Sequence, residues 1–155
     1  MTRLDVHIAG NRVTLRGRID DAAELGALAG RLPAGDLAID TAGVTFINSV
    51  GMREWLRLVR ALRERGQRVR LEGVADLVMA QLNLIAELRG ALTIASFHAP
   101  YECAACGAEH APLIDAIAHA ELLRRMSAPA VACPECGAPS QLADFPERYL
   151  SIFTS

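Results

Sequence analysis

Residues 37–52 read LAIDTAGVTFINSVGM, and within this stretch the chain changes from a strand pattern to a helix pattern. The apolar segment 36–40 predicts a short strand in the centre of a sheet, and 43–47 is expected to continue it as a loop or an extended segment. Asn48 and Ser49 are both residue types that cap helices, because their side-chain oxygens accept free N–H groups of the first turn. The stretch therefore predicts a strand that leads into a helix beginning at Asn48 or Ser49.

An amphipathic helix is predicted after this turn. Its apolar stripe consists of Met52, Trp55, Leu56, Val59 and Leu62. These positions recur with the spacing of one helix face, and Gly66 is a typical helix end. The pattern predicts that Trp55 is buried beneath the helix.

The flanking residues predict a sheet with helices rather than a β-sandwich or a helix bundle. In chain order the predicted elements are a β-hairpin over 4–17, a helix over 20–32, a strand over 69–71, a helix over 76–85 and a strand over 92–94. Asp20 or Asp21 is the expected N-cap of the first of these helices. The order of strands and helices predicts an α/β fold with a mixed β-sheet.

Two short cysteine motifs stand in the last third of the chain. Cys103-Ala-Ala-Cys106-Gly107 and Cys133-Pro-Glu-Cys136-Gly137 both have the form C-x-x-C-G. Two intervening residues allow both sulfurs of one motif to reach a single ion, and two motifs supply the four thiolates that suit tetrahedral zinc. We therefore predict one structural zinc ion, held by the four cysteines in a small zinc-ribbon-like module.

The spacing of the two motifs departs from that of a minimal zinc ribbon, because 26 residues separate them. A helix over 112–126 is predicted to fill this gap, and a short amphipathic helix is predicted within 144–153. A redox dithiol, a pair of disulfides and an iron–sulfur cluster are the alternatives to zinc. His98, His110 and His119 are expected to be surface residues, because four thiolates already complete a zinc site.

Composition and charge narrow the class of protein. The 155 residues are 52% hydrophobic and 22% charged, which indicates a globular chain. The first ten residues lack the apolar core of a signal peptide, and no apolar run approaches the roughly 20 residues of a membrane span, so a cytoplasmic location is expected. A domain boundary is expected between 1–97 and 98–155. Residues 97–155 carry three arginines and seven acidic residues, a net charge of −4 that disfavours nucleic-acid binding.

The segment 37–52 resembles the central signature of STAS domains, the family of anti-sigma factor antagonists. That signature has an apolar strand ending in aspartate, a Gly-Val-x-Phe stretch, and an Asp-Ser-x-Gly turn that opens a helix. This chain has GVTF at 43–46 and NSVG at 48–51. The passage over 71–82 is similar to the strand-to-helix passage of the family. The resemblance covers roughly residues 4–97 and implies a STAS-like fold.

The resemblance also implies a phosphorylation site. In antagonists of this family the serine of the turn is phosphorylated by a partner kinase that is also the anti-sigma factor, and Ser49 aligns with that serine. Asn48 replaces the usual aspartate, and Val50 replaces a usual serine or threonine. The alternative interpretation of Ser49 is a helix cap with no further role.

Together these features predict a non-enzymatic signalling protein that binds a protein partner and carries a structural zinc tail. The candidate partner-binding residues are Asn48, Ser49, Gly51, Arg53 and Arg57. The seven arginines between positions 53 and 70 form either a docking face for an acidic partner or a solvated helix face. An unregulated STAS scaffold subunit of a larger complex and a zinc-ribbon nucleic-acid-binding regulator are the alternative functions.

Overall fold

The computed structural model describes residues 3–88 and 92–154, and its largest element is a five-stranded sheet of order β1-β2-β3-β4-β5. The strands are β1 (Asp5–Ala9), β2 (Arg12–Ile19), β3 (Leu37–Ile47), β4 (Val69–Glu72) and β5 (Leu92–Ile94). The β1–β2 pair is antiparallel and the other three pairs are parallel, so the sheet is mixed, as predicted. The predicted hairpin is the β1–β2 pair. Residues 43–47 belong to β3, which confirms the extended alternative for that segment.

Two α-helices accompany the sheet, α1 (Ser49–Glu64) and α2 (Asp76–Leu82). The apolar stripe of α1 enters the core, where Trp55 is only 1% exposed. Its burial is as predicted. Helix α2 begins at the predicted residue but ends before Ile85, and a 3₁₀ turn over Ala86–Leu88 follows it.

The segment predicted as a helix over 20–32 forms two 3₁₀-helical pieces, Asp21–Ala23 and Leu25–Arg31. The Asp20 carboxylate accepts the Ala22 N–H at 3.1 Å, so the predicted cap forms. Glu24 interrupts the helix because its backbone is left-handed, with φ of 49°. Apolar burial therefore follows the predicted face, while the hydrogen bonding is not that of an α-helix.

The predicted helix over 112–126 is wrong for its first half. Leu113–Asp115 form strand β9, which pairs antiparallel with strand β6 (Ser96–His98). Helix α3 covers only Ala120–Arg124. Burial alternates along β9, with Ile114 buried between two exposed neighbours. A segment of only three residues with this pattern is compatible with either a strand or one turn of a helix. Pairing with a strand that is distant in sequence decides between the two.

The cysteine motifs lie on a small four-stranded sheet of order β10-β11-β7-β8. Its strands are β7 (Tyr101–Cys103), β8 (Glu109–His110), β10 (Val131–Ala132) and β11 (Pro139–Leu142). The predicted terminal helix is confirmed as α4 (Pro146–Leu150), followed by a 3₁₀ turn over Ser151–Phe153.

One hydrophobic core runs through the described residues on both sides of position 97. It includes Val78 and Met79 of α2, Phe97 of β6, and Leu150 of α4. Tyr101 of β7 belongs to the same core, so apolar packing joins the cysteine-bearing sheet to the larger sheet. Among the described residues, no helix is both long enough and apolar enough to cross a membrane.

Candidate metal centre and serine turn

Asn48, in the turn between β3 and α1, is the N-cap of α1. Its backbone is extended, and its Oδ1 atom accepts the Gly51 N–H at 2.8 Å. Its own N–H donates to the Ile19 carbonyl at 3.3 Å, which ties the turn to the end of β2. Asn48 therefore takes the N-cap position, and Ser49 is the first residue of the helix.

Gly51 has a structural reason to be glycine. It is buried, and a Cβ atom at this position would overlap the backbone carbonyl of Ile19. The first turn of α1 can approach β2 this closely only because the side chain is absent. Gly51 is one of the predicted partner-binding residues, but because it is buried it positions the turn and is not available for contact with a partner.

Ser49 is exposed, and its hydroxyl forms no hydrogen bond with another of the described residues. Arg53 and Arg57 follow at intervals of four, so the three side chains lie along one stripe of the 16-residue helix. Arg53 and Arg57 are exposed, whereas Asn48 is half-buried. The structure thus brings Ser49 and the two arginines to one accessible face beside a helix N-terminus, where backbone N–H groups favour negative charge.

The other arginines of the series are divided between structural roles and solvent. Arg60 forms a two-bond ion pair with Glu87, with both N···O distances 2.7 Å. The hydrogen bond to Glu87 raises the pKa of Arg60, and the same bond lowers the pKa of Glu87. Arg65 donates to the Ala29 carbonyl. The exposed Arg57 pairs with Glu54 at 3.0 Å, whereas Arg53 forms no ion pair with another of the described residues.

The four cysteines form a single cluster. Their sulfur atoms all lie within 4.8 Å of one another. The Cys103 and Cys136 sulfurs are 3.5 Å apart, and those of Cys106 and Cys133 are 3.6 Å apart. All four are free thiols, so no disulfide joins them. Zinc–sulfur bonds of about 2.3 Å in a tetrahedron require sulfurs roughly 3.8 Å apart, which is close to the observed separations.

The two cysteine turns, residues 103–107 and 133–137, have the same backbone hydrogen bonds. In each, the glycine N–H donates to the carbonyl of the first cysteine, at 2.7 Å for Gly107 and 2.9 Å for Gly137. Both glycines have a left-handed backbone, with φ of 76° and 77°. Glycine adopts this conformation without strain, so the C-x-x-C-G pattern itself specifies the turn. Both turns lie at the same end of the small sheet, because Cys103 pairs with Ser140 directly after the second turn, and they bring the four sulfurs to one point.

Ionisation within the cluster is uneven. The Cys106 N–H and the neighbouring thiols lower the pKa of Cys103 to about 7, against the opposing effect of burial. The Ala108 N–H favours ionisation of Cys106, but the Cys133 thiol, burial and the other sulfurs outweigh it and raise the pKa of Cys106 to about 12. A second thiolate is disfavoured beside the first because like charges repel at this distance. A cation bound between the sulfurs would remove that repulsion, so this donor set suits a metal ion.

The histidines near the cluster are engaged elsewhere. His98 Nδ1 lies 2.8 Å from the Ala111 carbonyl, and His110 Nε2 lies 2.9 Å from the Ser140 hydroxyl. Ser140 is fully buried and donates to the Val131 carbonyl at 2.6 Å, so it joins β8, β10 and β11. The supporting role of Ser140 has no signal in the sequence, because it depends on pairing between strands.

The comparisons with known proteins agree with this geometry. A family model described as "Mlab, STAS domain" matches residues 3–87, just over half of the chain, and this range contains β1 to β4, α1 and α2. No curated protein is similar enough to the chain to count as a match. The matched range includes the strand, the turn and the helix that carry the signature at 37–52. The chain belongs to the STAS domain family.

Proposed function

We propose that this protein is a non-enzymatic signalling protein of the anti-sigma factor antagonist type, and that it binds a protein partner through the face around Ser49. STAS domains typically interact with proteins. The observation that carries the proposal is the bond between Asn48 Oδ1 and Gly51 N at 2.8 Å. Because Asn48 caps the helix, Ser49 has no part in capping and its exposed hydroxyl is available for modification.

Phosphorylation of Ser49 by a partner serine kinase is the proposed control. A phosphate would add a charge of about −1.5 to −2 at the start of α1, where free N–H groups and the exposed Arg53 favour it. The helix dipole and these donors belong to the same chain, so the fold should tolerate the added charge. Asn48 caps through an amide oxygen, as an aspartate would through a carboxylate, so the geometry of the turn does not require the charge of the usual family residue.

The test is partner binding by three variants of the full chain, with the partner identified by copurification from native cells. Ser49→Asp should weaken binding by at least tenfold, whereas Ser49→Ala should bind as the parent protein does. Ser127→Asp, at an exposed serine outside the turn, is the matched control and should leave binding unchanged. Mass spectrometry of protein from native cells should find phosphoserine at position 49.

The second candidate is an unregulated STAS scaffold subunit of a larger complex, which the replacement of the signature aspartate by Asn48 favours. It predicts equal binding by all three variants and no phosphoserine, so the same experiment separates the two functions. A nucleic-acid-binding regulator is disfavoured because residues 97–155 carry a net charge of −4.

The metal proposed for the cysteine cluster is one structural zinc ion per chain. Four thiolates at these separations match a closed tetrahedral site, which offers no open position for a substrate. Elemental analysis of freshly purified protein should find about one zinc per chain, and Cys106→Ser should reduce it. Iron with visible absorbance, or the absence of any metal, would exclude zinc.

We further propose that residues 1–97 act as the partner-binding unit and residues 98–155 as the metal-binding unit. The match to the family within 3–87 supports the first assignment, and the position of all four cysteines after residue 97 supports the second. Free thiol ligands are typical of a reducing compartment, which supports a cytoplasmic location.

A further inference from the structure

Asn83, which directly follows α2, joins this helix to the C-terminal segment, defined as residues 146–153. Its Nδ2 donates to the Met79 carbonyl at 2.8 Å and to the Tyr149 carbonyl at 3.1 Å, and its Oδ1 accepts the Ile152 N–H at 2.7 Å. Asn83 is only 6% exposed, so these bonds form away from water, where an unmatched polar group is destabilising. The Asn83 side chain therefore forms hydrogen bonds with one carbonyl of α2 and with two backbone groups of the C-terminal segment.

Apolar side chains complete the contact. Tyr149, Leu150 and Ile152 are all buried, and the Phe153 ring lies 5.3 Å from the Phe97 ring of β6. The family match ends at residue 87, so α2 lies inside it and the C-terminal segment lies outside it. The segment therefore covers an apolar surface that the matched residues present on α2.

The cysteine cluster is connected to this contact through the backbone. Strand β11 leaves the second cysteine turn and pairs Ser140 with Cys103 on β7, and three residues separate its end from the start of α4. The Ala143 N–H then donates to the Pro100 carbonyl at 2.8 Å. The strands of this sheet have only two to four residues, so few backbone hydrogen bonds hold them together. A metal ion bound by the cysteines of both turns would add a link between β7 and β11 and hold the start of α4 in place.

We propose that α2 and β6 form a binding surface for an amphipathic helix, that the C-terminal segment is its intramolecular ligand, and that metal binding by the four cysteines keeps the segment bound. The inference rests on the metal site of the proposed function. The surface selects a short helix that presents an aromatic and aliphatic face together with a free carbonyl and N–H for Asn83. Loss of the metal releases the C-terminal segment from α2 and exposes the surface. Without the metal the segment is less restricted, so binding to α2 costs more conformational entropy.

The first test is hydrogen exchange of the full chain, with zinc bound and after chelation. Chelation should raise the exchange rate of the Ile152 amide at least tenfold, while amides within α1 around Trp55 remain protected. Loss of the metal with unchanged exchange at Ile152 would overturn this inference alone. A protein that carries no metal and takes up no added zinc would overturn both this inference and the proposed metal site.

The second test separates the helix-binding surface from the metal. Asn83→Ala should raise Ile152 exchange with the metal content unchanged, and Gln81→Ala on the same helix is the matched control that should change neither. A fluorescent peptide of residues 144–154 should bind the metal-free chain, and binding should be at least tenfold weaker with the metal-bound chain. Equal binding of the peptide to both forms, or to neither, would contradict the proposal. Native emission from Trp55 confirms that each variant is folded.

Discussion

The Oδ1 atom of Asn48 lies 2.8 Å from the backbone nitrogen of Gly51, and these two residues together determine how α1 begins. Asn48 supplies the acceptor for a free N–H group of the first turn. Gly51 supplies that N–H and, because it lacks a side chain, allows the turn to lie against the carbonyl of Ile19. Ser49 lies between them without contributing to either interaction.

The cap predicts a difference between two neighbouring alanine substitutions. Asn48→Ala should lower the free energy of unfolding by about 1 kcal/mol, because the Gly51 N–H loses its acceptor. Ser49→Ala should change it by less than about 0.5 kcal/mol, as expected for an exposed side chain without a bond. Urea unfolding followed by circular dichroism measures both. A larger loss for Ser49→Ala than for Asn48→Ala would show that serine is the cap.

Gly51→Ala should be strongly destabilising, by roughly 3 kcal/mol, because the added methyl group meets backbone atoms of Ile19 that cannot move away alone. Gly30→Ala is the control. Gly30 is exposed and an added Cβ has open space around it, so this change should be neutral or stabilising by up to about 1 kcal/mol. Thermal unfolding of the two variants provides the comparison, and equal midpoints would contradict the close packing at Gly51.

Trp55, the sole tryptophan, reports on the core beneath α1. Trp55→Ala should lower the free energy of unfolding by roughly 3–5 kcal/mol, because it leaves a large cavity. The indole Nε1 is buried without a hydrogen-bond partner among the described residues, so Trp55→Phe should cost clearly less, since it also removes an unmatched donor. Native fluorescence should be blue-shifted and protected from quencher. Emission typical of a solvated indole would refute burial.

Tyr149 predicts how stability depends on alkaline pH. Burial, followed by the charges of Asp144 and Asp76, raises the pKa of Tyr149 above its ordinary value, and Arg148 opposes this weakly. The unfolded chain loses the phenol proton from about pH 10, before the native chain does. The contribution of Tyr149 to the free energy of unfolding is therefore fully present below about pH 10, and it is lost as the pH rises through the pKa of Tyr149 in the native chain.

Tyr149→Phe isolates this effect. The Tyr149 hydroxyl forms no hydrogen bond among residues 3–88 and 92–154, so the substitution should leave stability near pH 7 almost unchanged. Above pH 10, the free energy of unfolding of the variant should fall less steeply than that of the parent protein. Parallel urea series at pH 7, 9 and 10.5 measure the difference, and identical slopes would contradict the raised pKa.

Local patterns were sufficient for much of the fold. The alternation in the hairpin, the apolar stripe that includes Trp55, and the aspartate at the start of α2 each specify their element through contacts within a few residues. The C-x-x-C-G spacing likewise specifies both cysteine turns, because its glycines adopt the left-handed backbone that the turns require. For the same reason, the four residues of the cysteine cluster follow from residue type and spacing alone.

Two helix predictions were wrong in segments where residue type and spacing favour no single type of secondary structure. Leu113 to Asp115 suit either a helix or a strand, and pairing with β6 selects the strand. The helix expected after Asp20 has the correct buried face, but Glu24 turns the backbone to the left-handed region and divides it.

The sequence by itself determined most strands and helices of the STAS fold, the serine turn and the two cysteine turns, because all of these depend on residue type and spacing within short segments. Only the tertiary structure decided that Asn48 rather than Ser49 is the cap, and that Asn83 holds the C-terminal segment against α2. Adjacent asparagine and serine are equally able to cap, so the approach of the turn to Ile19 selects between them. The Asn83 bonds join residues that are 66 and 69 positions apart, and no local pattern records a contact that exists only once the core has packed.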